Sequence, residues 1–294
     1  MKYNVMNRYM CLRDDDACRH TQVQELEKAY GDLWGKIPLT LAVVPFVHGS
    51  WAKTNEMPEP KFENLRNWQK TATIEELTEF FRVSPLGENK ELVDALKPLV
   101  NKNIIEIAEH GVFHRYNERG PEMFSDGMSY EAIRDGKEYL EKLFDTTVSF
   151  LVPPSNTIDV KCASYIKELG MNLFSSGNIV KDHTKATAFE FSSKLRGLKR
   201  RVLRKEVPPM SKSFGLMKFG SLTFTHVTST SDLKQKLMRN LDKSGFAALG
   251  THYTYLCEGG GEAYQKLLHS LMEEGVEFVT AKQYYNLIMN KYYE

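Results

Sequence analysis

The sequence predicts a parallel α/β barrel, and three observations carry that reading. Eight short β-type runs recur along the chain, mostly alternating with helix-like stretches, the rhythm of strands that run one way and return through helices. Most of the helix-like stretches repeat apolar residues at intervals of three and four, so each offers one apolar face to a sheet. Polar clusters stand directly after several of the runs, where barrels of this kind build their sites.

In chain order, the β-type runs are Tyr9 to Leu12, Leu39 to Val44, Ile104 to Ala108, Val148 to Val152, Met171 to Phe174, Ser221 to Val227, Ala247 to Gly250 and Glu277 to Thr280. The helices expected between them are Val23 to Tyr30, Thr73 to Phe81, Glu91 to Lys102, Tyr130 to Leu143, Ala163 to Leu169, Leu233 to Asp242 and Glu262 to Glu273. No internal repeat or low-complexity linker divides the chain. About 150 residues per domain would suggest two domains, but α/β barrels of about 250 residues or more fold as one. A single domain over 1–294 is expected, with a basic insertion near 184–215.

Composition narrows the function. The 39 Lys and Arg nearly cancel the 38 Asp and Glu, and a formal charge of +1 argues against a dedicated nucleic-acid binder. Met1 to Met10 holds no apolar core of a secretion signal, so a cytoplasmic protein is expected. The longest apolar stretch, Ile37 to Val47, is broken by Pro38 and Pro45 and falls short of the roughly 20 residues of a membrane span. Cys11, Cys18, Cys162 and Cys257 form no CxxC pair and are read as reduced, structural thiols.

The strand ends hold the chemistry. The first run leads into Arg13-Asp14-Asp15-Asp16, the second into Pro45 to His48, the third into Glu109 to His114, the fourth into Pro153 to Asn156, and the run near Ala247 into Gly250-Thr251-His252. On a turn of helix His110 and His114 share one face, close enough for two imidazoles to grip one metal ion, although two histidines sharing a face for other reasons fit the spacing equally. Adjacent carboxylates at Asp14, Asp15 and Asp16 repel and call for a counter-charge; the alternative is an acidic turn capping the helix that starts near Thr21. Taken together, one carboxylate and two imidazoles make a three-ligand set that leaves positions open for water and substrate.

These ordered segments resemble the polysaccharide deacetylases with a NodB-type domain, the family 4 carbohydrate esterases. The resemblance rests on Leu12 to Asp16, His110 to His114, Val152 to Asn156 and Leu249 to His252, spans residues 9 to 280, and is to the branch with His-Gly-x-x-His. It implies a single distorted (β/α) barrel of about seven parallel strands with the site at their C-terminal ends. It also implies a divalent metal on Asp16, His110 and His114, with Asp15 as general base; a register with Asp14 as base and Asp15 as ligand stays open. It assigns the oxyanion donor to Ser155, since Pro153 and Pro154 have no N–H, and protonation of the departing amine to His252. Zinc suits this donor set best, and iron, cobalt, nickel or manganese would be accepted by it.

The chain departs from the family in two places. Val152 stands where the third motif carries an Arg that holds the base, and Arg13 is the residue available to substitute. The Asp and Trp that tune the acid histidine have no counterpart, since the only tryptophans are Trp34, Trp51 and Trp68. Ser155, Asn156, Arg13, His48 and His226 are expected to contact substrate, with hydrogen-bonded core histidines as the alternative for His48 and His226. Trp51 and Tyr116 either stack on a sugar ring or pack loops, and His20, His183 and His269 are read as surface. Lys194 to Lys205 carries seven basic residues and no acid, either a solvated insertion or an arm for an anionic group such as a nucleotide- or lipid-linked sugar diphosphate or an anionic membrane face.

The resemblance therefore implies a metal-dependent deacetylase of an acylated amino sugar in surface-polysaccharide or lipopolysaccharide biosynthesis. The alternatives are hydrolysis of a non-sugar amide at the same site and carbohydrate binding without turnover.

Overall fold

The computed structural model describes residues 7–115, 121–177, 179–182, 185–186, 209–225 and 227–293. The first strand, β1 (Arg8–Ala17), leads through α1 (Val23–Tyr30) to β2 (Leu39–Val43). An excursion follows, in which β3 (Phe46–His48) and β4 (Val83–Pro85) pair antiparallel around α2 (Ser50–Glu56), α3 (Lys61–Thr71) and α4 (Ile74–Phe81). Next come α5 (Lys90–Asn101), β5 (Ile105–His110), α6 (Tyr130–Phe144), β6 (Phe150–Val152), β7 (Ile158–Asp159), α7 (Val160–Glu168) and β8 (Asn172–Phe174). β9 (Ile179–Asp182) and β10 (Lys185–Ala186) join β7 in a side sheet. The remainder runs β11 (Met210–Ser213), β12 (Leu216–Phe219), β13 (Leu222–Thr223), α8 (Thr230–Ser244), β14 (Phe246–His252), α9 (Gly261–Glu273), β15 (Val276–Val279) and α10 (Ala281–Tyr292).

The main sheet has the order β11-β12-β8-β6-β5-β2-β1-β14-β13, with β15 also on β1. Every pairing in it is parallel except β11 with β12. The chain steps from β12 to β13 over Gly220 and Ser221, and among the described residues no ladder joins those two strands. Ser176 and Ser221 stitch this seam, the Ser176 hydroxyl donating to the Ser221 carbonyl at 2.8 Å and accepting its N–H at 3.0 Å. The result is the distorted, mostly parallel barrel that the strand rhythm predicts.

One expected strand is displaced. Among the described residues of the Ser221 to Val227 run only Leu222–Thr223 is strand, and the place beside β8 is taken by β12, whose Lys218 interrupts the apolar run that would have announced it. Two further helices, α2 and α3, are too polar to declare a face, and α3 buries only Leu65. By contrast α10 buries Ala281, Tyr284 and Ile288 at helical spacing.

Alternation along β1 sorts its side chains. Met10 and Leu12 pack with Leu26, Leu92 and Leu268 of the surrounding helices. Cys11 faces the barrel interior with Ala42, Ala108, Phe150, Phe174, Phe219 and Ala248, small and large residues that together fill a narrow interior. Tyr284 and Ile288 of α10 belong to the same interior cluster and close the end where the strands begin. The opposite end, where the strands finish, is left open to a cleft.

Candidate functional site

Three consecutive aspartates at the end of β1 point three ways. Asp14, on the helix-facing side, accepts from the Tyr30 hydroxyl at 2.7 Å and from the Tyr253 backbone N–H at 2.7 Å. Burial pushes its carboxyl up to about 7, against the pull of the Tyr30 hydrogen bond. Asp14 does not line the cleft that Asp15 and Asp16 share. Asp15 points inward, and its Oδ2 accepts from the Arg13 guanidinium at 2.8 Å with both side chains 3% exposed. Its Oδ1 is buried with no hydrogen-bond partner among the described residues.

Asp16 escapes the alternation. The pairing of β1 with β2 slips between Asp14 and Ala17, and Asp16 adopts φ +74°, in the left-handed region. Its Oδ1 then lies 2.9 Å from His110 Nε2 and 3.1 Å from His114 Nε2, and its Oδ2 lies 3.7 Å from His252 Nε2. Burial works to raise the Asp16 carboxyl, yet the His114 charge and the hydrogen bonds of both imidazoles hold it well below the usual range. For His114, burial favours the neutral ring and the Asp16 carboxylate outweighs it, so its pKa is raised.

His110 is the last residue of β5, and the segment that follows is not the helical turn that the spacing predicts. Gly111 takes φ +57° and His114 φ +48°, and this tight bend returns the second imidazole over the first, with ring centroids 5.0 Å apart. A Cβ on Gly111 would collide with Glu122 Oε1 and the Pro154 ring, so the position requires glycine twice over. The bend is held from both sides. Phe46 and His48 donate backbone N–H groups to the carbonyls of Val112 and Phe113, and Glu122 accepts from the amides of Val112, Phe113 and Arg115. Nothing in the sequence marked Glu122.

The ligating atoms of Asp16, His110 and His114 all lie within 4.8 Å of one another. His110 Nδ1 faces the Val152 carbonyl at 2.9 Å, which only a ring N–H can satisfy, so Nε2 is left to face a carboxylate oxygen at 2.9 Å. A cation shared between the two groups would satisfy that contact. With the unpartnered Asp15 Oδ1 beside it, the donor set fits a divalent ion.

Arg13, expected to touch substrate, instead lies beneath Asp15. Its guanidinium donates to Asp15 and, at 3.0 Å, to the Phe174 carbonyl, and it covers the Phe174 ring at 4.9 Å. It occupies the interior from β1, while Val152 fills the corresponding place on β6 with a buried apolar side chain.

The cleft above has a volume of about 650 Å³ and is lined by Asp15, Asp16, His110, His114, Ser155, Asn156 and His252. Ser155 and Asn156 follow β6 with φ +55° and +53°, a turn set up by the two prolines before them. His252 ends β14 opposite Asp15 in the β1 register, and its Nδ1 is buried without a partner among the described residues. The excursion adds Trp51, Asn55 and Lys61 to the far wall, and the segment after β14 adds Tyr255 and Glu258. Trp51 meets the His114 ring edge-on at 6.3 Å and stacks on His20, so it belongs to the cleft rather than to loop packing alone.

His48 does not line the cleft. Its Nδ1 meets the Ser50 hydroxyl at 2.7 Å and backbone N–H at 3.1 Å, with the ring edge-on to Phe80 and Phe81. His269 lies at the surface with Asp32 at 3.0 Å. His226, Tyr116, His183 and the basic run Lys194 to Lys205 lie outside the described residues.

No family model and no curated protein matches the sequence. Solved structures do match. A family 4 acetyl xylan esterase from Clostridium thermocellum, in complex with a cobalt ion, aligns with a TM-score of 0.50 at 13% identity over 95% of this chain and 91% of its own. A 4-alpha-glucanotransferase from Thermococcus litoralis aligns with a TM-score of 0.52 at 11% identity, over 96% of this chain and 40% of its own. A family 4 pseudoenzyme from Bacillus anthracis aligns at 13% identity and a TM-score of 0.48 over 95% of this chain, which spans 65% of that protein. Identities this low speak to architecture and not to activity. The chain therefore shares its overall fold with the family 4 acetyl xylan esterase.

Proposed function

We propose that this protein is a metal-dependent hydrolase that removes an acetyl or other acyl group from an amino sugar. One observation carries the reading: the convergence of Asp16, His110 and His114 on one point, with the unpartnered Asp15 Oδ1 and the His252 imidazole facing the same cleft. Asp16, His110 and His114 would hold a divalent ion, which would supply Lewis acidity toward water and the acyl carbonyl. Asp15, oriented through its other oxygen by Arg13, takes the proton from the attacking water. The Ser155 N–H, the first amide after two prolines, donates to the oxygen of the acyl carbonyl as negative charge grows there. His252 gives a proton to the departing nitrogen as the carbon–nitrogen bond breaks, so water and amide become carboxylate and amine.

The cleft suits a sugar unit by volume, and Trp51 offers it an aromatic face. We assign the metal as zinc, the substrate as a biosynthetic precursor rather than a finished polymer, and the setting as surface-polysaccharide or lipopolysaccharide synthesis in the cytoplasm. The basic run Lys194 to Lys205 supports a phosphorylated, nucleotide- or lipid-linked carrier or an anionic membrane face.

A binding-only reading draws on the His252 Nδ1, which has no tuning carboxylate among the described residues. The two are separated by elemental analysis of wild type and His114→Ala after mild dialysis, followed by acetate release from a panel of N-acetylated sugars, free and diphosphate-linked. Hydrolysis predicts about one equivalent of metal, lost in the variant, and turnover abolished by Asp15→Asn. Sugar binding that is indifferent to Asp15→Asn, without acetate release, would establish the binding reading instead.

A further inference from the structure

We infer that Glu122 is the positioning residue of the metal centre: it builds the two-histidine bend in the absence of metal, so that the ligands await the ion in ligating geometry. The inference rests on the metal reading above for the identity of the ion and on the bend's own hydrogen bonds for the rest.

Between His110 and His114 the chain makes two left-handed turns, at Gly111 and at His114 itself, with no regular structure to satisfy the amides in between. Such a bend turns consecutive N–H groups toward one side and forms a concave anion receptor. Glu122 fills it. Its Oε1 accepts from Val112 at 2.6 Å and Phe113 at 3.2 Å, and its Oε2 from Phe113 at 3.3 Å and Arg115 at 3.0 Å. The carboxylate is 4% exposed, so water does not replace these bonds when they are lost.

The same bend is anchored through Gly111, whose N–H donates to the Val152 carbonyl at 3.2 Å, the oxygen that also fixes the His110 ring. Glu122 thus fixes the loop that carries His114, and Val152 fixes the ring of His110. A loop left free would have to be ordered at the moment of metal binding, at an entropic cost that a preformed loop avoids. Outer partners of this kind typically govern metal affinity by about 10- to 100-fold.

The variant Glu122→Gln keeps one acceptor oxygen and turns an amide N–H toward the remaining backbone donors. Zinc affinity of the folded variant, measured by chelator competition, is expected to fall by about 10- to 100-fold, and the metal-free variant to melt somewhat below metal-free wild type because buried amides lose an acceptor. Wild-type zinc affinity in Glu122→Gln would overturn the inference. A second measurement needs no variant: in metal-free wild type the amides of Val112, Phe113 and Arg115 are expected to be protected from hydrogen exchange. Exchange at the rate of unstructured peptide, with protection appearing only on zinc addition, would overturn it even if the variant fails to fold. If wild type binds no zinc yet protects these amides, the metal reading fails while the preformed bend stands.

Discussion

Arg13 and Asp15, two residues apart on β1, meet at 2.8 Å on the inward face of the barrel, and the arginine reaches on to the Phe174 carbonyl on β8. The pair places on β1 a cation beside Asp15, whereas the resemblance expects one on β6, where Val152 stands. Because both partners are buried, deleting the arginine outright would leave an uncompensated carboxylate and cost about 3–5 kcal/mol of stability. The conservative change is more informative. Arg13→Lys keeps the charge and loses the fork that fixes Asp15 and Phe174 at once. We expect kcat for acetate release to fall by about 10- to 100-fold, as misplacement of a reacting group does, with zinc affinity unchanged. Wild-type kcat in Arg13→Lys would show that Asp15 needs no such orientation.

The division of labour among the three aspartates gives a second prediction. Tyr30→Phe removes the buried hydrogen bond to Asp14 and is expected to lower stability by about 1–2 kcal/mol, with zinc binding and turnover retained. Asp15→Asn is expected to end turnover with zinc binding retained, and to melt below wild type because the buried Arg13 guanidinium loses its counter-charge. Denaturant titration and acetate release on the two variants check both halves.

Stability should fall as pH rises through neutrality. Burial pushes Glu106 up to about 7, although the Lys282 backbone N–H accommodates one of its oxygens, while its Oε1 is buried without a partner among the described residues. A carboxyl whose folded pKa exceeds its unfolded value of about 4.3 contributes stability that is complete below that value and is lost as pH rises through about 7. Burial also raises Glu109, which adds to the same trend. The melting temperature of wild type is therefore expected to drop between pH 5 and 8, and Glu106→Gln to flatten that drop. Equal slopes in the two proteins would remove Glu106 as the cause.

Trp51 tests the far wall of the cleft. Trp51→Ala removes a ring that faces both the cavity and the edge of His114. We expect KM for a sugar substrate to rise by about 3- to 10-fold, the scale of one aromatic contact, with little change in kcat. A change confined to kcat would place the role of Trp51 at His114 instead.

The strand rhythm and the ordered polar clusters were legible because each depends on neighbours in sequence: an apolar run, then the residues that must lie at its end. Asp16, His110, His114 and His252 could be named on that basis, and they meet within hydrogen-bonding or ion-pair reach. What could not be read depends on backbone turns and on distant partners. The HxxxH spacing suggested a helix, but left-handed Gly111 and His114 replace it with a bend, and only the three-dimensional course of that bend brings Glu122 into contact. The direction of Arg13 was ambiguous because alternation alone does not say which aspartate leaves the strand pattern; the slip at Asp16 decides it. His48 carried the right residue type at the right strand end, yet Ser50 and the aromatic rings of α4 claim its side chain.

The pairing of β1 has a consequence for how the protein is made. β14 runs along one edge of β1 over Tyr9 to Asp15, while the other edge is shared by β15 over Arg8 to Cys11 and by β2 from Arg13 onward. The strand that carries Arg13, Asp15 and Asp16 is made well before two of its three partners, which follow more than two hundred residues later. Contacts of such long range form slowly, and until they form the acidic strand keeps an unpaired edge. The charges of the future site then guard that edge, since a strand ending in three aspartates is a poor template for another copy of itself.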